Sequence, residues 1–179
     1  MPLYKKLKER IKEGAIGNTK MVQVNFGSNK GYDSTQRFFA LEAAGGALLD
    51  IGVYATAFAR TFLSEMPNTI LTTVEYLETG ADEQSRAKQP KRGVVTGDKG
   101  YIEVYEYPRA CKATITNTAT GEVETVEAGK TEDALKYEVE AMEAAIEGNL
   151  EDDCQIITKD TMRILTSIKT QWGMKYPFE

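Results

Sequence analysis

The most apolar stretch of the chain contains two side chains that can exchange protons. Between Gly45 and Leu63 the sequence reads GGALLDIGVYATAFARTFL, and Asp50 and Tyr54 are four positions apart in it. Residues at this spacing lie on one face of a helix, one turn apart. A carboxylate and a phenol placed in this way can act on the same bound molecule. The glycine pair Gly45-Gly46 precedes them and allows a close backbone approach just before the helix.

Asp50 needs an explanation, because a charged carboxylate among apolar side chains is costly to bury unless it is paired. One interpretation is structural: Asp50 accepts hydrogen bonds from backbone amides at the start of the helix, and Tyr54 is a packing residue. The other interpretation is chemical, and in it both groups belong to a site. The spacing alone leaves both interpretations open.

The composition restricts the chemistry that is possible. The 179 residues include no histidine, which excludes Ser-His-Asp and Cys-His pairs, so acid–base chemistry must use carboxylates, lysine or tyrosine. Cys111 and Cys154 are far apart and cannot form a structural zinc site without histidine, so we interpret them as free thiols. The acidic run Glu151-Asp152-Asp153 lacks EF-hand spacing, so we predict a solvated loop there and no metal site.

Several classes of partner are not expected. The glycine clusters GAIG, GSNKG and GDKG do not form a phosphate-binding motif, so we predict no nucleotide site within this chain. A net charge of −5 argues against a dedicated nucleic-acid-binding protein. The first residues, PLYKKLKERIKEG, do not resemble a signal peptide, and Asp50 and Arg60 interrupt the most apolar stretch. These features predict a cytoplasmic protein that does not bind membranes.

The hydrophobic pattern predicts helices and strands in separate groups. Helices are expected at Leu3–Glu13, at about Gly46–Ser64, after Thr131 and at about Thr158–Trp172. The helix after Thr131 has a predicted core stripe of Leu135, Val139, Met142 and Ile146. In the last helix the residues expected to face inward are Met162 or Leu165, Ile168 and Trp172. Strands are expected at Met21–Phe26, Thr69–Leu77, Arg92–Thr96, Tyr101–Tyr107, Lys112–Asn117 and Glu122–Glu127. Short turns between the later strands favour antiparallel pairing. We therefore predict an α+β domain, with a mainly antiparallel open sheet and helices packed on one face.

Five segments, in order along the chain, resemble one known family. GGALLDIGVY resembles the signature of the second domain of the Gfo/Idh/MocA oxidoreductases, in the branch that contains glucose-fructose oxidoreductase and dimeric dihydrodiol dehydrogenase. The other four are similar to further parts of that domain, and they read LKERIKEGAIGNTKMVQVNFG, LETGADEQ, RGVVTGDKGYIEVYEYP and TMRILTSIKTQWGMKYPFE.

The resemblance implies the C-terminal domain of a two-domain enzyme, with a glyceraldehyde-3-phosphate dehydrogenase-like fold over residues 1–179. It implies that NAD or NADP binds to an N-terminal Rossmann domain absent from this chain, so the isolated chain is expected to be inactive and to bind no cofactor. Tyr54 matches the residue that donates or accepts the proton during hydride transfer, and Asp50 matches its aspartate neighbour. Gly45 and Gly46 match the glycine pair of the substrate site.

The resemblance further implies a sugar, polyol or diol as the substrate and a homo-oligomer that forms through the open sheet face. The strands fit this assembly if their apolar side chains lie on both faces; these are Val104, Tyr105, Tyr107, Ile115 and Val123. The segment near 84–92 is shorter than in relatives, so either residues are missing from the sequence there or the sheet is truncated. The alternative function is a non-catalytic binding or oligomerisation module that has kept the fold.

Overall fold

The computed structural model describes residues 1–83, 88–149 and 153–179. Four α-helices are formed by Pro2–Lys12 (α1), Val53–Phe62 (α2), Ala134–Ile146 (α3) and Cys154–Gln171 (α4). Five strands are formed by Thr19–Asn25 (β1), Arg92–Gly97 (β2), Gly100–Tyr105 (β3), Lys112–Asn117 (β4) and Val123–Glu127 (β5). Short 3₁₀ turns occur at Arg37–Phe39, Leu41–Ala43 and Thr131–Asp133, and a π-helical turn at Leu48–Gly52 leads into α2.

The five strands form one sheet in the order β1-β2-β3-β4-β5, and each neighbouring pair is antiparallel. The register places alternate residues on one face, where Val95 lies opposite Ile102 and Ile102 lies opposite Ile115. These side chains are buried, whereas the other face carries polar residues such as Glu103 and Thr114. Period-two alternation therefore sets a single core-facing side, as the sequence predicts.

Helices α1 and α2 cover this inner face. α1 contributes Leu3 and Leu7, and α2 contributes Phe58 and Phe62, to the same buried cluster as the inner strand residues. α2 lies close to the sheet because β2 has a glycine beneath it: a Cβ at Gly93 would be 2.2 Å from Cζ of Phe58. The predicted α+β class, with an antiparallel open sheet and helices on one face, is confirmed.

A smaller core attaches α4 to the start of α2. It consists of Leu48, Leu165, Met174 and Tyr176, with Ile168 and Trp172 packed against it. Leu165 is buried and Met162 is exposed, so Leu165 is the inward residue of the two alternatives. Beside this core the Arg60 guanidinium of α2 donates to the Asp160 carboxylate of α4 at 2.7 Å.

The strand predicted at Thr69–Leu77 is wrong. Among the described residues, this segment forms no ladder, and the one β-bridge found for it joins Tyr76 to Asp82. Its polar side chains instead hold α4, because Trp172 donates its indole N–H to Thr72 and the Tyr76 hydroxyl donates to the Trp172 carbonyl. β-branched residues fit an extended backbone, but they do not specify a strand partner.

The predicted core stripe of α3 is also wrong. Leu135, Val139, Met142 and Ile146 are all exposed, and Ala134 is the buried residue of this helix. The stripe has helical periodicity, but within the described residues no other element covers it. Periodicity shows which face of a helix is apolar and does not show what packs on it.

Two predictions fall partly outside the described residues. Of the segment near 84–92, residues 84–87 are not described, and of the acidic run Glu151-Asp152-Asp153, only Asp153 is described. Asp153 pairs with Lys8 at 3.2 Å.

The apolar residues of the predicted strands divide between the core and the surface. Val104, Tyr107 and Ile115 are buried in the core, whereas Tyr105 and Val123 are exposed.

Leu41–Phe62 spans 22 residues and contains an 18-residue window with a mean hydropathy of 1.2, so it is long and apolar enough to cross a membrane by length and composition alone. The expectation that Asp50 and Arg60 exclude such a stretch is therefore wrong. One helix of this kind is weak evidence for a membrane protein, because the core helix of a globular domain passes the same test. The second half of this stretch is α2, whose Phe58 and Phe62 are part of the buried core.

Candidate functional site

The π-helical turn Leu48–Gly52 and α2 carry both sequence-predicted catalytic residues. Asp50 lies in the π-helical turn and Tyr54 in the first turn of α2. The side chain of Asp50 is 21% exposed, and 45% of the Tyr54 surface is exposed. Wide turns of this kind are rare inside helices and frequently occur at functional sites. Both side chains are accessible to a bound molecule in this arrangement.

Asp50 is paired with two cations from the loop that precedes the helix. Lys30 Nζ lies 3.6 Å and Arg37 Nη2 lies 3.5 Å from its carboxylate oxygens. Both cations also lie over the ring of Phe38, at 2.9 Å and 4.6 Å from its centroid. Asp50 therefore holds a basic loop against the helix, which answers the question of how its charge is compensated.

Tyr54 lies at the end of a row of aromatic rings. Its ring centroid is 6.0 Å from that of Phe26, and Phe26 is 5.7 Å from Tyr107, whose hydroxyl donates to the Asn25 carbonyl. Lys91 Nζ lies 4.9 Å from the Phe26 centroid. Phe26 thus connects Tyr54 with the buried Tyr107, and Lys91 lies over the Phe26 ring.

A buried aspartate that sequence reasoning missed holds the start of this helix. Asp82 is 2% exposed, and its carboxylate accepts the backbone N–H of Leu48 at 2.6 Å, while its carbonyl accepts the N–H of Ala47 at 3.2 Å. Burial raises the pKa of Asp82, against the lowering effect of these backbone hydrogen bonds. Asp82 therefore fills the role at the helix start that the structural interpretation gave to Asp50.

The glycine pair fits tightly around this contact. A Cβ on Gly46, whose φ is +128°, would lie 1.8 Å from Oδ1 of Asp82. A Cβ on Gly45 would lie 2.3 Å from the Arg37 carbonyl oxygen. The two glycines are thus required for the helix start to dock on its neighbours. Their predicted role in the substrate site stays a prediction.

Two open clefts flank the Asp50–Tyr54 surface. One, of about 750 Å³, is lined by other residues of the same helix, including Ile51 and Ala55, and by Phe26. The other, of about 490 Å³, is lined by Lys30 and by Glu83. Neither Asp50 nor Tyr54 lines either cleft. Tyr54 contacts Phe26, which lines the first cleft, and Asp50 pairs with Lys30, which lines the second.

The described residues do not fit a dinucleotide. The amide at the start of the helix, where a phosphate would bind, already donates to the carboxylate of Asp82. The sheet strands pair antiparallel throughout, unlike the parallel strands of a dinucleotide-binding fold. Over the described ranges, no group of three or more His, Cys, Asp or Glu side chains could hold a metal ion. The expectation that this chain alone binds no cofactor stays a prediction.

Known proteins similar to this chain are oxidoreductases. Trans-1,2-dihydrobenzene-1,2-diol dehydrogenase of Xenopus tropicalis is 28% identical over 122 residues, which is 58% of this chain and 36% of that protein. The enzyme of the same name from Xenopus laevis is 27% identical over 135 residues, which is 65% of this chain and 40% of that protein. The chain thus spans well under half the length of these curated relatives.

A solved structure shares the fold. KijD10, a 3-ketoreductase from Actinomadura kijaniata crystallised with NADP and TDP-benzene, superimposes with a TM-score of 0.65 at 20% identity. The match covers 95% of this chain and 59% of that chain. A family model described as the GFO/IDH/MocA C-terminal domain matches residues 4–118. The chain belongs to the GFO/IDH/MocA family, whose C-terminal domain it contains.

Proposed function

We propose that this chain is the substrate-binding domain of an NAD(P)-dependent oxidoreductase that acts on the hydroxyl or carbonyl group of a sugar, polyol or diol. The observation that carries the proposal is the exposed Tyr54 phenol on the same helix as Asp50, whose carboxylate pairs with Lys30 and Arg37. A pure scaffold has no need for a solvent-accessible phenol four positions from this carboxylate.

Tyr54 is the proposed proton donor and acceptor at the substrate oxygen. An unperturbed tyrosine has a pKa near 10, so a cation close to the phenol is needed to make the phenolate accessible near neutral pH. Lys91 Nζ lies over the ring of Phe26, which contacts Tyr54, and Lys30 and Arg37 pair with Asp50, four positions before Tyr54.

Asp50 is the proposed positioning partner. Its pairing with Lys30 and Arg37 fixes the loop before the helix, which forms part of the smaller cleft through Lys30. The carboxylate oxygens are also suitable acceptors for a substrate hydroxyl. A sugar or diol presents neighbouring hydroxyl groups, so one can reach Tyr54 while another is held near Asp50.

The names of the similar proteins support the substrate class and the cofactor. The Xenopus relatives are diol dehydrogenases, and KijD10 is a ketoreductase that was crystallised with NADP. Because the described residues do not fit a dinucleotide, the cofactor in our proposal is held by a separate Rossmann domain. The isolated chain is then expected to have no activity.

We also propose that copies of this domain associate through the outer face of the sheet. Met21, Tyr105 and Val123 are exposed on that face, as an assembly surface requires. In this respect the domain combines a substrate surface on the helix side with an assembly surface on the sheet side.

The experiment is an NAD(P)-linked assay of the enzyme in which this chain is joined to its cofactor domain. We expect turnover with sugars, polyols or vicinal diols, measured by the change in NAD(P)H absorbance. A protein that binds NAD(P) but turns over no compound of these classes would contradict the substrate assignment.

A further inference from the structure

The larger of the two clefts beside the proposed site has charged side chains of one sign. Its volume of about 750 Å³ is within the range of small-molecule sites. Glu75, Asp82 and Glu83 line it, and among the described residues no lysine or arginine does. The wall of the cleft therefore favours a positively charged ligand over a negatively charged one.

Two antiparallel segments bring these carboxylates together. Tyr76 forms a β-bridge with Asp82, and the backbone N–H of Glu83 donates to the carbonyl of Glu75 at 2.8 Å. Glu75 and Glu83 are therefore directly opposite each other, and the side chains of opposed residues lie on the same face. Glu75 is exposed, so its carboxylate is accessible to a bound molecule.

Asp82 provides an observation that does not depend on this clustering. It is 2% exposed, and Oδ2 accepts the N–H of Leu48, whereas Oδ1 has no hydrogen-bond partner within the part of the chain that the structure describes. A buried carboxylate oxygen without a donor is rare and requires an explanation. A cation in the cleft that Asp82 lines would stabilise the charge of this carboxylate.

An aromatic ring makes the same cleft suitable for an organic cation. Trp172 lines the cleft, and its indole N–H donates to the hydroxyl of Thr72 at 3.1 Å, which fixes the ring in the wall. Tryptophan is the side chain whose ring attracts a cation most strongly. Phe26 also lines the cleft, and Lys91 Nζ lies 4.9 Å from its ring centroid, so contacts between cations and rings already occur here.

We propose that this cleft binds the ammonium group of an amino sugar or an amino polyol. Glu75 pairs with the ammonium group, Trp172 packs against the ammonium and its neighbouring carbon atoms, and Asp82 adds a buried negative charge. A neutral sugar can fill the same space but leaves the carboxylates without a counter-charge. A phosphate or carboxylate group in this position is repelled.

The cleft lies next to the residue that is central to the proposed reaction. Ala55 lines it and directly follows Tyr54 in α2, and Phe26 lines it and contacts the ring of Tyr54. In an amino sugar the amine and the hydroxyl groups are on neighbouring carbon atoms, so an amine held in the cleft directs a hydroxyl towards Tyr54. This role in turnover rests on the proposed function, whereas the binding of the amine does not.

Fluorescence of the isolated chain tests the proposal, because Trp172 is the single tryptophan of the sequence and lines the cleft. The probes are D-glucosamine and its neutral analogue D-glucose, at equal ionic strength and at about pH 6, where an amine is protonated. We expect a saturable change with glucosamine and a Kd at least about fivefold lower than that for glucose. Glu75→Gln should raise the glucosamine Kd by about the same factor. Glu78→Gln, at an exposed position that lines the other cleft, is the matched control and should leave the Kd unchanged.

Equal affinities for glucosamine and glucose would overturn the proposal, and so would a glucosamine Kd that Glu75→Gln leaves unchanged or the lack of a saturable signal with either sugar. Tighter binding of a glucose phosphate would identify an anion site and would also overturn it. Turnover by the enzyme that contains the cofactor domain separates this proposal from the proposed function. Turnover of neutral sugars without a preference for glucosamine in binding would contradict the ammonium site alone. Binding of glucosamine without turnover of any sugar, polyol or diol would contradict the proposed function alone.

Discussion

The buried carboxylate of Asp82 accepts a hydrogen bond from the backbone N–H of Leu48 at 2.6 Å, across 34 positions of sequence. This contact joins LETGADEQ to GGALLDIGVY, two of the segments on which the family resemblance depends. It fixes the start of the helix that carries Asp50 and Tyr54. Asp82 is thus a positioning residue for the proposed site, and it does not itself lie on the Asp50–Tyr54 surface.

Replacement of Asp82 by alanine is expected to destabilise the domain. The Leu48 N–H would lose its acceptor inside the protein, which costs about 1–3 kcal/mol in the free energy of unfolding. Asp82→Asn keeps an oxygen acceptor at the same place and is the matched control. Urea unfolding measures both variants, and an equal loss for alanine and asparagine would show that the hydrogen bond is not the cause.

The raised pKa of Asp82 predicts a specific pH dependence of stability. Its unfolded pKa is about 3.9, and burial raises the folded value above that. In the interval between the two values the folded state binds more protons than the unfolded state, so stability falls as the pH rises. Asp82→Asn removes this contribution. The free energy of unfolding of the wild type minus that of Asp82→Asn should therefore decrease from about pH 4 upwards, and a flat or increasing difference would contradict the assignment.

Gly46→Ala is expected to destabilise the domain more than Gly14→Ala. Both glycines have positive φ, at +128° and +87°, so both substitutions introduce backbone strain of about 1–3 kcal/mol. A Cβ at position 46 would also collide with the buried Asp82 carboxylate, whereas the space around Gly14 is open. Thermal unfolding measures the difference. Equal losses at the two positions would show that the tight fit between Gly46 and Asp82 has no energetic consequence.

Arg60→Ala is expected to cost about 3–5 kcal/mol in the free energy of unfolding, because it leaves the carboxylate of Asp160 buried without its main partner. The side chains of Arg60 and Asp160 are only 8% and 10% exposed. The double variant Arg60→Met with Asp160→Leu removes both charges and should lose much less than the sum of the single changes. The surface pair Arg10–Glu124 is a suitable control, since removal of Arg10 should cost about 0–1 kcal/mol. Additive losses at Arg60 and Asp160 would contradict direct coupling.

The parts of the fold that follow from local pattern could be predicted from the sequence. Val22 and Val24 alternate with polar neighbours and lie on β1, and GDKG marks the turn between β2 and β3. The prediction for Thr69–Leu77 is wrong because β-propensity reports a fit to extended backbone and not the presence of a pairing strand. The prediction that the α3 stripe at Leu135–Ile146 belongs to the core is wrong because a periodic apolar pattern has the same appearance whether or not its own chain covers it.

The site could be predicted only where its residues are close in sequence. Asp50 and Tyr54 are recognisable because four residues make about one helical turn, and because an aspartate is unusual in so apolar a stretch. Asp82 and Asp160 carry no such signal. Their partners, Leu48 and Arg60, are 34 and 100 positions away, and an acidic residue in a polar segment is usually solvated. Only tertiary structure brings these contacts together.

The central claim is that Tyr54 transfers the proton at the substrate oxygen. The most direct measurement is kcat for Tyr54→Phe in the enzyme that joins this chain to its cofactor domain, with Tyr105→Phe as the control, because Tyr105 is similarly exposed but lies on the outer sheet face. We expect Tyr54→Phe to lower kcat by about 10²-fold or more with little change in KM, and Tyr105→Phe to leave kcat unchanged. An unchanged kcat for Tyr54→Phe would contradict the claim and would make Tyr54 a packing residue against Phe26.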